Sequence, residues 1–190
     1  MEQNRSYIIL AAPSGSGKTT VAKHILRSFP QIQFSVSSTT RLQRQGEVEG
    51  KDYYFISNEA FLEKIHSEEV LEYEEIYGNY YGTMKEEIHR LQQDQIVILF
   101  DIDVLGAINL SKKFTSSALL LYISPPSLEI LEQRLRSRST ESEEQILKRL
   151  SRAKMELTYK DYFDYVVVND TLETTLEQVS EIILKEFFTL

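Results

Sequence analysis

A glycine-rich octapeptide near the amino terminus constrains this chain more than any other feature. Ala12-Pro13-Ser14-Gly15-Ser16-Gly17-Lys18-Thr19 fits the pattern G-x-x-x-x-G-K-[ST] with Ala at its first position. The apolar run Tyr7 to Ala12 precedes it and a segment of helical spacing begins at Lys18, which is the strand–loop–helix context the pattern needs. Glycines let successive backbone N–H groups converge on one anion, and the following helix presents its positive end. Lys18 adds a mobile cation for the outer phosphates. On this reading Ala12, Pro13, Ser14, Gly15, Ser16, Gly17, Lys18, Thr19 and Thr20 bind a nucleoside triphosphate, and the Thr19 hydroxyl faces magnesium. The plainer reading is a Gly/Ser turn that caps a helix; pattern and context together disfavour it.

Four apolar runs, Tyr7 to Ala12, Ile96 to Phe100, Ala118 to Ile123 and Tyr165 to Val168, lack polar alternation. Strands of a parallel sheet covered on both faces read this way. Between them lie segments of helical spacing: Lys18 to Ser28, Glu59 to Ser67, Met84 to Gln93, Leu128 to Arg138, Glu143 to Leu157 and Leu172 to Phe188. In the last, Leu172, Leu176, Val179, Ile182, Ile183 and Phe187 form a one-sided apolar stripe. Strands alternating with helices predict an α/β fold, a parallel sheet core flanked by helices. A length of 190 residues suits one domain carrying inserted lobes. Ser35 to Gly82 and Glu129 to Lys160 read as those insertions.

Composition removes several function classes. Twenty-one Lys and Arg against twenty-nine Asp and Glu leave a net charge of −8, which repels nucleic-acid phosphates. The absence of cysteine excludes disulfide scaffolds, thiolate zinc sites and cysteine nucleophiles. The first apolar run falls well short of the about 20 residues that span a membrane. A soluble, cytoplasmic protein is expected. His24, His66 and His89 sit on separate helical segments without metal-ligand spacing.

The loop does not say what receives the phosphate. A GTPase needs an N-K-x-D guanine reader, which is absent although Asp103-Val104-Leu105-Gly106 fits D-x-x-G; motor ATPases are usually longer. A kinase for a small acceptor remains. Ser35-Val36-Ser37-Ser38-Thr39-Thr40-Arg41, Arg44, Gly46-Glu47-Val48, Gly50-Lys51-Asp52-Tyr53 and Gly78-Asn79-Tyr80-Tyr81-Gly82 resemble the nucleoside-monophosphate-binding region of guanylate kinases. Asp101-Ile102-Asp103, Pro125-Pro126-Ser127, Arg134-Leu135-Arg136-Ser137-Arg138 and Val168-Asn169-Asp170 continue the resemblance to the carboxyl terminus. It implies a P-loop kinase with a core of residues 1–33, 90–126 and 160–190, a GMP-binding lobe of 34–89 and a helical lid of 127–159. It also implies ATP as donor, Mg2+ as its counterion, and GMP, with dGMP second, as acceptor.

The residues carry this chemistry on their own terms. A nucleotide phosphate near charge −2 suits Arg, whose planar donors bind two oxygens at once. Arg41 and Arg44 lie beside the hydroxyl-rich Ser37 to Thr40, with Tyr53 and Tyr81 as further donors; the resemblance assigns these four to the GMP phosphate. Guanine offers donors at N1 and N2 where adenine has an N1 acceptor, so a carboxylate there selects guanine. Composition does not choose among Glu68, Glu69, Glu72, Glu74 and Glu75; the resemblance selects Glu72, with Ser37 and Thr83 beside the base. Asp101 and Asp103 end an apolar strand, where open α/β sheets place ligands. Holding magnesium through water or positioning the acceptor suits Asp101, and helix capping competes for Asp103. Arg134, Arg138 and Arg149 match lid arginines that neutralise the moving phosphoryl group. Their bland reading is a pair of surface helices salt-bridged to Glu129, Glu132, Glu141, Glu143 and Glu144.

The chain departs from the family pattern at Ala12, at Gln43 and Gln45 where proline is frequent, at Leu105 and at Ser139. None removes a charged group given a role. Two other classes fit parts of the pattern: a guanylate-kinase-like protein-interaction module, and a kinase acting on a phosphorylated sugar. The intact Gly15, Gly17, Lys18 and Thr19 speak against the first, and Arg41, Glu72 and Tyr81 together against the second.

Overall fold

In the computed structural model, residues 5–92, 96–137 and 142–188 are described; Arg138, Ser139 and Glu141 lie outside them. The chain runs β1 (Tyr7–Ala11), α1 (Lys18–Ser28), β2 (Ile32–Phe34), β3 (Ser38–Thr39), β4 (Tyr54–Phe55), α2 (Asn58–His66), β5 (Val70–Ile76), β6 (Asn79–Met84) and α3 (Lys85–Leu91). It continues through β7 (Val97–Asp101), α4 (Val104–Phe114), β8 (Ala118–Ser124), α5 (Leu128–Arg136), α6 (Glu143–Leu157), β9 (Tyr165–Val168) and α7 (Leu172–Ile183), which ends in one wider turn over Leu184–Phe188.

Strands without polar alternation need cover on both faces, and β1 has it. Ile8 and Leu10 pack with Val21 and Ile25 of α1 and Val179 and Ile183 of α7. Ile9 and Ala11, pointing the other way, pack with Val104, Ala107 and Leu110 of α4 and with Phe100 and Tyr122. Five parallel strands follow in the order β2-β7-β1-β8-β9. All four apolar runs of the sequence are strands of this sheet. The apolar stripe of α7 is carried by Leu176, Val179, Ile183 and Phe187, whereas Leu172 is exposed.

Two elements of the central layer escape the periodicity reading. β2 has three residues, too few to show a pattern, and α4 holds Gly106 and a mixed-polarity sequence whose start is marked only by Asp103. The Asp103 side chain caps that helix, accepting from Leu105 N and Gly106 N at 3.0 Å each. The capping role therefore stands, beside others described below.

The region 35–82 is more than an excursion: it builds a second sheet in the order β4-β3-β6-β5. β5 and β6 form a hairpin through Tyr77 and Gly78, both at positive φ (51° and 78°), as a tight two-residue turn requires. A register shift between Val70 and Glu72 turns Glu72 inward against Thr83. Glu72 thus lies on a strand. Gly82 is needed beside it, since a Cβ there would sit 2.6 Å from the Glu72 carbonyl oxygen. α5 and α6 form a hairpin with a small core of its own, Leu131, Leu135 and Ala153. Ser127 caps α5, and Ser142 with Gln145 makes a capping box on α6.

Candidate active site

The carboxyl ends of β1 and β7, the second sheet and α6 surround one cavity of about 410 Å3. Its wall holds the loop from Ala12 to Thr20 except Ser16, together with Ser37, Arg44, Tyr53, Glu72, Tyr81, Asp101 and Arg149. Residues from four separate stretches of sequence thus meet where a parallel sheet places its ligands.

The phosphate loop is built by backbone geometry. Gly15 and Gly17 take φ values of 94° and 91°, in the left-handed region that favours glycine. Gly17 has a second reason: a Cβ there would collide with the side-chain amide of Asn169. That amide donates to Ser16 O at 2.7 Å, while Thr175 Oγ1 donates to Asn169 Oδ1 at 3.1 Å. The turn after β9 therefore holds the loop in shape from behind. Lys18 Nζ pairs with Asp101 Oδ1 at 2.5 Å and donates to Ile102 O at 2.5 Å. Thr19 and Asp101 share the cavity wall, and a hydroxyl with a carboxylate suits magnesium, which keeps most of its waters and takes one or two protein oxygens. Among the described residues no three His, Asp or Glu side chains gather into a cage for a metal ion.

Opposite the loop lies a polar pocket cut into buried surface. Glu72 is only 7% exposed and accepts from Thr83 Oγ1 at 2.8 Å. Burial, with Asp103 nearby, pushes its carboxyl up to about 7. Gly106 makes room for it, because a Cβ there would lie 2.9 Å from Glu72 Oε2 and 3.0 Å from Asp103 Oδ2. Ser37 is buried alongside. Tyr53 and Tyr81 stand edge to face with ring centres 6.0 Å apart. Burial and the Asp101 charge push the Tyr53 phenol up to about 12, so it remains an O–H donor throughout the neutral range.

The two arginines behave differently. Arg44 lines the cavity, whereas the Arg41 guanidinium forms a bidentate pair with Glu47 at 2.8 and 3.1 Å and lies over the Tyr53 ring at 5.4 Å. Its hydrogen bond holds the Glu47 carboxyl below the usual carboxylate range. Glu47 also accepts from Arg44 N at 2.7 Å, and Gln43 Nε2 donates to Glu47 O at 2.6 Å. Hydrogen bonds organise this loop where proline would have stiffened it.

Of the three arginines expected in a lid, Arg149 reaches the phosphate loop, its Nη1 donating to Ser14 Oγ at 3.3 Å. Arg134 Nη2 donates to Asn169 O at 2.9 Å, which ties α5 to the turn that supports the loop. Arg138 lies outside the described residues. The sequence reading missed Asn169 as a support, and it missed Arg152, Glu156 and Glu74. Arg152 and Glu156 line the cavity. Arg152 bonds Glu74 Oε1 at 2.8 Å and Glu156 Oε1 at 2.7 Å. Burial and the neighbouring Asp103 push the Glu74 carboxyl up to about 8 against the pull of Arg152, and burial raises Glu156 as well. A count of the acids in 68–75 would have flagged an unpaired excess; nothing local points to Arg152 as its partner.

Comparison with known proteins agrees with this geometry. A family model described as guanylate kinase matches residues 4–186. Guanylate kinases of Chlorobium luteolum and Salinibacter ruber are each 45% identical, over 90% and 92% of this chain and 87% and 93% of their own lengths. The crystal structure of guanylate kinase from Anaplasma phagocytophilum superposes with a TM-score of 0.79 at 32% identity, covering 97% of this chain and 87% of that one. With the loop, the buried acid and the arginines converging on one cavity, the chain belongs to the guanylate kinase family.

Proposed function

We propose that the chain transfers the γ-phosphoryl group of ATP to GMP, and more slowly to dGMP, giving ADP and GDP or dGDP. One observation carries the reading: a phosphate loop and a buried carboxylate face each other across a single cavity. In this arrangement a phosphate oxygen of GMP attacks Pγ as the bond from Pγ to the β-phosphate oxygen breaks, and ADP leaves with that electron pair. Such a transition state asks the protein for alignment and positive charge rather than covalent chemistry.

The backbone amides from Gly15 to Thr20 and Lys18 hold the ATP phosphates. Arg44, Tyr53, Tyr81 and Arg41 hold the GMP phosphate, Arg41 once it is shared with or released from Glu47. Glu72 accepts from guanine N1 and N2, with Ser37 and Thr83 beside the base. Thr19, and Asp101 through water, hold magnesium, which when bound offsets charge on the triphosphate. Arg149 and Arg134 bring charge from α6 and α5, and the resemblance adds Arg138. The lobe 34–89 and the lid 127–159 close on the core and exclude water, which would otherwise take the phosphoryl group. Among the described residues no helix is long and apolar enough to cross a membrane, and the net charge is −8; a cytoplasmic enzyme acting on free nucleotides, without a nucleic-acid partner, fits both.

The test is a coupled assay with ATP and magnesium in which GMP, dGMP, AMP, UMP and ribose phosphates are offered separately. GMP is the best acceptor on this reading. AMP or a sugar phosphate accepted as readily would overturn it.

A further inference from the structure

We propose that Arg152 is a positioning residue that straps the lid to the acceptor lobe and so sets Arg149 against the phosphate loop. This rests on the reading of α5 and α6 as the lid of a phosphotransferase, and it names the contact that holds that lid.

Arg152 stands on α6 with its side chain only 17% exposed. Its guanidinium meets carboxylates from three separate segments: Glu74 Oε1 at 2.8 Å on β5, Asp103 Oδ1 at 3.5 Å at the start of α4, and Glu156 Oε1 at 2.7 Å one turn along its own helix. The lobe, the core and the lid are therefore joined through one side chain. Only a planar fork does this, because its nitrogens point outward in fixed directions and each can take a different acceptor. A lysine ammonium could reach one or two of these oxygens and would leave the others uncompensated in a half-buried setting.

The placement along α6 gives the strap its consequence. Arg149 and Arg152 are three residues apart and share a helix face. Arg152 fixes the rotation and the height of that face over the cavity, and one turn earlier Arg149 Nη1 reaches Ser14 Oγ. Without the strap, α6 is retained by the small core of the α5–α6 hairpin and, at its far end, by Leu157 in the main core and the Tyr122 hydroxyl donating to Glu156 O, which leaves the turn that carries Arg149 less firmly placed over the cavity. Arg149 would then sample positions away from the loop.

The chain has no cysteine, so pairs of spin labels can be placed without background sites. Labels at Glu75→Cys, exposed on the lobe, and Leu147→Cys, exposed on α6, report the distance between lobe and lid by pulsed electron resonance. A narrow distribution is expected with Arg152 present. In Arg152→Met, and more mildly in Glu74→Gln, it broadens and shifts to longer distances. An unchanged distribution in both variants overturns the strap, whatever the chain phosphorylates. The kinetic arm asks how the strap acts. Arg152→Met should lower kcat for GMP about tenfold with the KM for ATP changed less than twofold, and Arg152→Lys should recover only part of the loss. The double variant Arg149→Met, Arg152→Met should be no slower than Arg149→Met alone. Losses that multiply, or a full recovery with Lys, would sink the positioning role. Wild-type chain that leaves GMP untouched defeats the functional reading instead, and the distance measurement still decides the strap.

Discussion

Glu72 is placed where specificity and stability pull in opposite directions, and Glu72→Gln separates them. The carboxyl is 7% exposed, and burial raises it from an ordinary 4.5 to about 7. A group raised in the folded state contributes full stability below its unfolded value and loses it as pH climbs through the folded one. Each pH unit between the two values is worth about 1.4 kcal/mol, so from pH 4.5 to above pH 7 the fold gives up at most about 3 kcal/mol to ionise this one side chain. Glutamine keeps an oxygen for the Thr83 hydroxyl and never ionises. Its variant should match wild type near pH 5 and exceed it by up to about 3 kcal/mol at pH 8.5, a rise in Tm of about 6 to 12 °C for a chain of this length. Urea and thermal unfolding at the two pH values measure it. Turnover of GMP should fall at the same time, because the amide presents a donor to guanine where a second acceptor is needed. A variant equally destabilised at both pH values, or a gain that does not grow with pH, would refute the assignment of the buried charge to Glu72.

The same group makes GMP binding a proton-linked event: calorimetry at pH 7 in buffers of different ionisation enthalpy should show roughly half a proton released, falling towards zero at pH 9. Buffer-independent heats at pH 7 would count against it. Gly106→Ala improves helix propensity but drives a Cβ to within 2.9 Å of Glu72 Oε2; steady-state kinetics should show the KM for GMP rising about tenfold with that for ATP unchanged, and an unaltered KM for GMP would mean the pocket wall lies elsewhere. Lys18→Met removes the cation nearest the loop and should cost at least about a hundredfold in kcat. Because it also strips Asp101 of its partner, a modest fall in Tm belongs with it, and activity retained within tenfold would show that Lys18 does not reach the phosphates.

What the sequence made legible was chemistry written in short, contiguous runs. β1, β7 and β8 appear as unbroken apolar runs because each is buried on two faces, whereas the edge strand β9 keeps an apolar run although Val166 and Val168 are exposed; the loop appears because its glycines, lysine and threonine act through one stretch of backbone. β2 and α4 did not appear: three residues carry no period, and α4 is defined by what lies across from it, Glu72 on one side and β1 on the other. The second sheet was hidden for a related reason. Its strands β3 and β4 have two residues each, and in β5 the acids Glu72 and Glu74 take the covered positions while Tyr73 between them is exposed, the reverse of what an apolar face would show.

The site shows the same division with more at stake. Thr83 and Glu72 were found through the resemblance, and the hairpin register brings them together by local pairing. The tie between Glu74, Asp103, Arg152 and Glu156 could not be found that way, since its members are separated by up to 82 positions and no spacing rule links them. Each, read alone, is a charged residue on a polar strand, turn or helix. Only when burial removes water does one arginine become the obligatory partner of three acids, and only then does its loss mean more than a weakened surface pair. Long-range ion pairs of this kind are legible as an imbalance at most: the run 68–75 holds five acids and no cation, Lys64 just ahead of it pairs with Glu69, and Glu74 takes its partner from another part of the fold. Helix α6 supplies it, and in doing so couples the strand that carries Glu72 to the helix that carries Arg149.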